Sequence, residues 1–187
     1  MKTQAKNQVC VSEQISRLDT TVLAATQGGR GLNVTLVYQE AQSRQWARHI
    51  YDRIAKQAGK ADVRATWWKI SELSEPGVLA GAVSTAMRSQ VVVVATIEPK
   101  GLPLPFYVWV NAWLPHRPAG TGTLVALIGA TEARNGNSGG VEEYLRAAAR
   151  QGSLEFLIRH HKLPAEKPIV PRKRVHPRPF ASRLVLN

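Results

Sequence analysis

The chain has 187 residues, with 25 Lys+Arg against 13 Asp+Glu and a net charge of +12, a length that suits one domain with tails. Its single cysteine, Cys10, excludes an intramolecular disulfide framework or a Cys-cluster metal site and points to a reducing, cytoplasmic setting. No apolar run approaches the roughly 18 residues that cross a bilayer, and the first residues lack a secretory apolar stretch, so neither a membrane-spanning nor a secreted protein is expected.

Residues 1–31 are polar, lack sustained periodicity and read as a loosely ordered leader. A short β-branched run at 33–38 then predicts a buried strand. Ser43 is the expected cap of the next helix, in which Ala47, Ile50, Ile54 and Ala58 recur at helical spacing until Gly59 stops it. Residues 63–70 form the second expected strand. A helix over 74–88 follows, with Pro76 in its first turn and Leu79, Val83, Ala86 and Met87 on one face. Residues 90–97 are the most hydrophobic segment and predict a central strand. Prolines 99, 103 and 105 break the chain before a helix carrying Phe106, Val110, Trp113 and Leu114 on one side. Strand four is expected at 123–129, a helix at about 141–151 and strand five at 154–160.

The last stretch, KLPAEKPIVPRKRVHPRPFASRLVLN, contains five prolines and seven basic residues against one acidic residue, a net of +6. It predicts an extended, solvated tail over 163–187. The cluster Arg172, Lys173, Arg174 and Arg178 could neutralise the phosphates of a nucleic acid or dock on an acidic partner, and a solubilising tail would have the same composition. Residues 32–161 hold 14 basic and 10 acidic residues, a net of only +4. The basic excess therefore belongs mainly to the tail.

Five strands alternating with four helices predict an α/β protein over 32–162. The expected architecture is a three-layer α/β/α sandwich on a five-stranded parallel sheet of flavodoxin-like order 2-1-3-4-5. Ligands of such sheets bind beyond the carboxyl ends of the strands, near the point where strand order reverses. The segments to inspect are 38–45, 97–106, 130–140 and the exit from strand five.

Two of these carry a family pattern. In VVVVATIEPKGLPLPFYVWVNAWL, residues 91–114, the positions Ala95, Thr96, Glu98, Gly101, Trp113 and Leu114 stand in register with a strand, loop and helix motif. In LVALIGATEARNGNSGGVEEYLR, residues 124–146, Gly139, Gly140, Leu145 and Arg146 do the same. Both stretches resemble NAD(P)H-dependent FMN reductases of the flavodoxin-like fold. The resemblance covers about a third of the chain and implies an FMN cofactor, hydride transfer from NAD(P)H to a small acceptor, and a homodimer that completes each flavin site. It further implies Ser43 and Arg44 at the FMN phosphate, with Thr96, Glu98 and Gly101 on one side of the ring and Thr131, Gly139 and Gly140 on the other. Such a ring is held largely by backbone groups, for which Gly- and Pro-shaped loops are suited. The family's Gly- and Ser/Thr-rich phosphate loop, however, is replaced by Tyr38-Gln39-Glu40-Ala41-Gln42-Ser43-Arg44. That segment has no glycine, and Glu40 opposes a phosphate. The alternative is a non-catalytic domain that kept the scaffold, lost the phosphate loop and acts through protein contacts.

Other site chemistries are weaker. Receiver domains share the topology, and Glu40, Thr131 and Lys162 fall near their acidic, hydroxyl and lysine positions. Ala95 stands where their phosphoacceptor would be, which argues against phosphorelay chemistry. Glu40, Glu98 and Glu132 could share one Mg²⁺, although glutamates in such loops are more often solvated, so no metal is assigned. The five tryptophans read as packing rather than base-stacking platforms, with Trp67 and Trp68 facing opposite sides of their strand. Adjacent His160 and His161 cannot both face one metal from a regular strand.

Overall fold

β-branched runs and helical stripes alternate along the chain, and the structure, a computed structural model, turns each into the element its period dictates. It describes residues 31–59, 62–97, 100–118, 122–130 and 140–162, together with Thr20. Apart from Thr20 and Gly31, the segments read as the leader (1–31) and the basic tail (163–187) lie outside the described residues.

The order is β1 (Leu32–Tyr38), α1 (Ala41–Ala58), β2 (Val63–Lys69), a 3-10 turn (Ile70–Ser74), α2 (Pro76–Arg88), β3 (Val91–Thr96), α3 (Leu104–Trp113), a second 3-10 turn (Leu114–His116), β4 (Thr123–Ala130), α4 (Gly140–Gln151) and β5 (Glu155–Lys162). All four pairings are parallel, and the sheet order is β2-β1-β3-β4-β5. This is the flavodoxin-like arrangement, with its topological switch between β1 and β3.

β3 lies at the centre because every one of its residues is buried. A run of four valines can be covered on both faces, which a strand with alternating polarity cannot. Val91, Val93 and Ala95 pack under α1 together with Val34, Leu36, Trp46, Ile50 and Ile54. Val92 and Val94 face the opposite layer, where Ala82, Ala86, Phe106, Trp109, Val110, Val141 and Leu145 come from α2, α3 and α4. The adjacent tryptophans of β2 divide between the two faces. Trp67 meets Tyr38 and Tyr51 edge-on, at 6.5 and 6.0 Å between ring centroids. Trp68 lies over Gly81 of α2 and donates from its indole N–H to Thr85 Oγ1 at 3.0 Å.

Most element ends lie within a residue of the sequence reading, and the larger departures fall at three places. Helix α1 begins at Ala41 with Glu40 in the cap position, so Ser43 belongs to its first turn rather than to its cap. The third-position hydroxyl reaches back to the turn, which serves the same donors from the other side. Helix α2 begins at Pro76, because residues 70–74 take the tighter 3-10 form that delivers the chain to a proline at the first helical position. β5 runs on to Lys162, paired along its length with β4 up to Ala130.

The amino edge is closed by side chains as well as by the ladder. Gln90 Oε1 accepts from the Asn33 N–H at 2.8 Å, and Thr35 Oγ1 meets Ser89 Oγ at 2.7 Å, joining β1 to the end of α2. The buried guanidinium of Arg117 donates to the Ala86 carbonyl at 3.1 Å and lies over the Trp113 ring. Burial lowers its pKa to about 10, which leaves it a cation at the carboxyl end of α2.

Candidate functional site

Among the described residues, the carboxyl edge of the sheet is built from the turn after β1, the loop after β3 and the ends of β2, β4 and β5. In the turn after β1, the Ser43 side chain is fully buried. Its Oγ accepts from the Gln39 N–H at 3.1 Å and the Glu40 N–H at 2.9 Å, and donates to the Glu40 carbonyl at 3.0 Å. The Gln39 N–H also donates to the Ala95 carbonyl at 3.0 Å. A buried polar group must be paired inside the protein, and here the turn satisfies itself.

Gln39 then crosses the switch point. Its Oε1 accepts from Thr96 Oγ1 at 2.5 Å and from the Ile97 N–H at 3.1 Å. The side chain that follows β1 thus spans to the end of β3, where the two strands diverge.

A bound FMN needs an anion nest at the turn after β1. The residues present do not fit one. The Gln39 and Glu40 N–H groups are directed to Ser43 Oγ, and Glu40 is the residue at the positive end of α1. A carboxylate there occupies the electrostatic place of a phosphate. The Ser43 hydroxyl expected at the phosphate is turned inward, whereas Arg44 is exposed.

The other expected ring-side residues separate as follows. Thr96 is buried, with its hydroxyl on Gln39. Gly101 is under no steric demand, since an added Cβ would meet Tyr107 Oη at 3.7 Å. Gly140 is different: a Cβ there would stand 2.8 Å from the Lys100 carbonyl oxygen, so α4 begins hard against the loop after β3. Beneath that contact, Tyr107 and Tyr144 meet edge to face at 4.8 Å, and Tyr107 Oη accepts from the Leu102 N–H at 3.0 Å. The Tyr144 hydroxyl is buried with no hydrogen-bond partner among the described residues, and burial, then Tyr107, raises its pKa. Glu98, Thr131 and Gly139, like Glu132, lie outside the described residues, as do Arg172, Lys173, Arg174 and Arg178. Among the described residues no three His, Cys, Asp or Glu side chains gather as a metal site.

At the end of β5 the two histidines part to opposite faces. His160 Nε2 lies 3.4 Å from the buried Glu142, which also takes Arg146 at 2.7 Å. His161 stacks flat on Trp46 of α1, with centroids 4.3 Å apart and planes 6° apart. Burial first, then Arg159, His49 and His160, lower the His161 pKa to about 4. The ring is neutral at physiological pH.

One cleft at this edge lies on the β2 side. Tyr38, Ala41, Arg44, Gln45, Arg48 and Lys69 enclose about 520 Å³. The Arg44 guanidinium is held over Tyr38 at 5.4 Å and over Trp67 at 5.8 Å. Of these residues, Arg48 and Lys69 are not singled out by the sequence reading, which inspects the exits of strands one, three, four and five. The available signal is the four-residue spacing of Arg44 and Arg48, which puts both on one helical face.

No family model matches the chain, and no curated protein does. Among solved structures, a metal-soaked Flv1 flavodiiron core from Synechocystis sp. PCC6803 is similar at 19% identity and a TM-score of 0.47. The similarity covers 74% of this chain and 32% of that one, so the chain spans about a third of that protein's length. No helix among the described residues is long and apolar enough to cross a membrane.

Proposed function

We propose that the chain is a non-catalytic flavodoxin-like binding domain that works without a tightly held FMN. The observation that carries this reading is the turn after β1, where the Ser43 hydroxyl takes the Gln39 and Glu40 N–H groups that an anion would need. The Gln39 bridge to Thr96 and Ile97 supports it, because it spans the switch point where such sheets admit a ring. In this reading the scaffold presents contacts instead of a cofactor, and the basic residues Arg172, Lys173, Arg174 and Arg178 add attraction for an anionic partner. The rival, FMN-dependent hydride transfer from NAD(P)H, rests on the resemblance of residues 91–114 and 124–146.

Titration with FMN decides between them. The purified protein should be colourless, without flavin absorbance near roughly 450 nm, and FMN should leave its tryptophan fluorescence unchanged at micromolar concentration. A yellow protein, or one that saturates with FMN at a Kd below about 1 μM, would overturn the reading.

A further inference from the structure

Three cations converge on one cleft. Arg44 and Arg48 stand one turn apart on the exposed face of α1, and Lys69 ends β2. Like charges four residues apart work against the helix that carries them. Among the described residues no carboxylate pairs with any of the three. Ala41, the first residue of α1, also lines the cleft, but the Glu40 carboxylate before it already offsets the positive end of that helix, so the attraction for an anion comes from the three side chains.

The volume narrows the ligand. About 520 Å³ lies within the range of small-molecule clefts and exceeds what a bare phosphate fills. The lining is also not purely cationic. The Tyr38 ring forms part of the wall, and Arg44 rests across Tyr38 and Trp67, which presets its planar guanidinium. A planar guanidinium takes phosphate oxygens two at a time, an ammonium takes them as a point charge, and the open face of a stacked guanidinium takes a flat ring.

We propose that this cleft binds a phosphate ester of mononucleotide size, its phosphate at Arg48 and Lys69 and its flat part on the Arg44 guanidinium, which is stacked on Tyr38. The site lies on the β2 flank of β1, away from the β1–β3 switch point. Nothing in it depends on the Ser43 hydroxyl or on the groups that Gln39 holds. The proposal deepens the binding-domain reading and rests on it in taking this cleft as a place where the domain acts.

The test uses the full chain, calorimetry and tryptophan fluorescence, with inorganic pyrophosphate, AMP, adenosine and a short single-stranded oligoadenylate as probes. AMP should saturate with a Kd below about 1 mM, and adenosine should bind at least about tenfold more weakly. Arg48→Ala and Lys69→Ala should each weaken AMP about tenfold, and the double variant should abolish binding, with thermal midpoints unchanged. Arg150→Ala, on the exposed last turn of α4, should leave binding as it is. The proposal falls if AMP and pyrophosphate fail to saturate at about 5 mM, or if the double variant binds as well as the parent. An oligoadenylate that binds about tenfold more tightly than AMP through the same residues would replace the small molecule with a nucleic acid. Neither pyrophosphate nor AMP carries a flavin ring. Tight FMN binding that survives the double variant would therefore sink the binding-domain reading and leave this cleft standing.

Discussion

Ser43 would be a phosphate ligand if it pointed outward; turned inward, it accepts two N–H groups and donates to a carbonyl. Ser43→Ala leaves the Glu40 N–H without its acceptor at a buried turn, the Gln39 N–H keeping the Ala95 carbonyl, and should cost about 1–2 kcal/mol in chemical denaturation, whereas losing a solvent-facing phosphate ligand would cost almost nothing. The Tyr144 hydroxyl is the opposite case, buried with no partner among the described residues. Tyr144→Phe removes that unpaired group while keeping the ring against Tyr107, so the variant should be as stable as the parent or about 1 kcal/mol more stable. His161 sets a pH dependence. Its folded pKa of about 4 lies below the ordinary 6.5, so as pH falls through that interval the unfolded chain takes up a proton before the folded one does. The stability tied to the neutral ring is complete above pH 6.5 and drains as pH falls toward 4. Solvent screening at the half-buried ring holds the loss to on the order of 1 kcal/mol. Melting curves taken from neutral pH down toward the folded pKa should show it, and His161→Gln should flatten that part of the profile.

At the scale of elements, the tightest constraint is at the amino edge, before β4. Gly122 has a φ of 122°, and a Cβ there would stand 2.5 Å from the Gln90 carbonyl oxygen and collide with the Arg117 guanidinium. Gly122→Ala should therefore cost about 3 kcal/mol, read as a shift in the denaturation midpoint at unchanged slope. Much of this level is legible in the sequence. The valine run of β3, the stripe Ala47, Ile50 and Ile54 and the Pro76 start are visible because burial acts on periodicity within one segment. What stays hidden depends on tertiary neighbours. A cap at Ser43 is a local inference, and the turn between β1 and α1 uses that serine from three residues further in. Gln39 carries no signal, because its partners Thr96 and Ile97 lie 57 and 58 residues away. Lys69 enters the cleft only when β2 pairs with β1, bringing it opposite Tyr38.

The whole molecule is organised around β3, buried in every residue and paired on both sides. Hydrogen exchange should reflect this. Amides of Val92 to Ala95 should exchange only by global unfolding, and those of β2 and β5, each paired on one side, should open earlier. Exchange of β3 at the rate of the edges would contradict the burial pattern. The charge distribution also operates at this scale. With +12 overall and +4 over residues 32–161, long-range attraction to a polyanion should fall steeply with salt. A ligand confined to the cleft of Arg44, Arg48 and Lys69 should show the shallower dependence of a few local contacts.

The Gln39 clasp has a consequence for anyone who would reshape this edge. Two hydrogen bonds converge on its side-chain oxygen, from Thr96 Oγ1 and the Ile97 N–H. An isosteric Gln39→Glu exchange keeps that acceptor and charges it, which draws β1 and β3 together more firmly. A Gln39→Gly truncation removes the oxygen that those two donors share and opens a space between the strand ends. One position thus offers a latch that chemistry can tighten or a door that it can unhinge, with the sheet beneath it left intact.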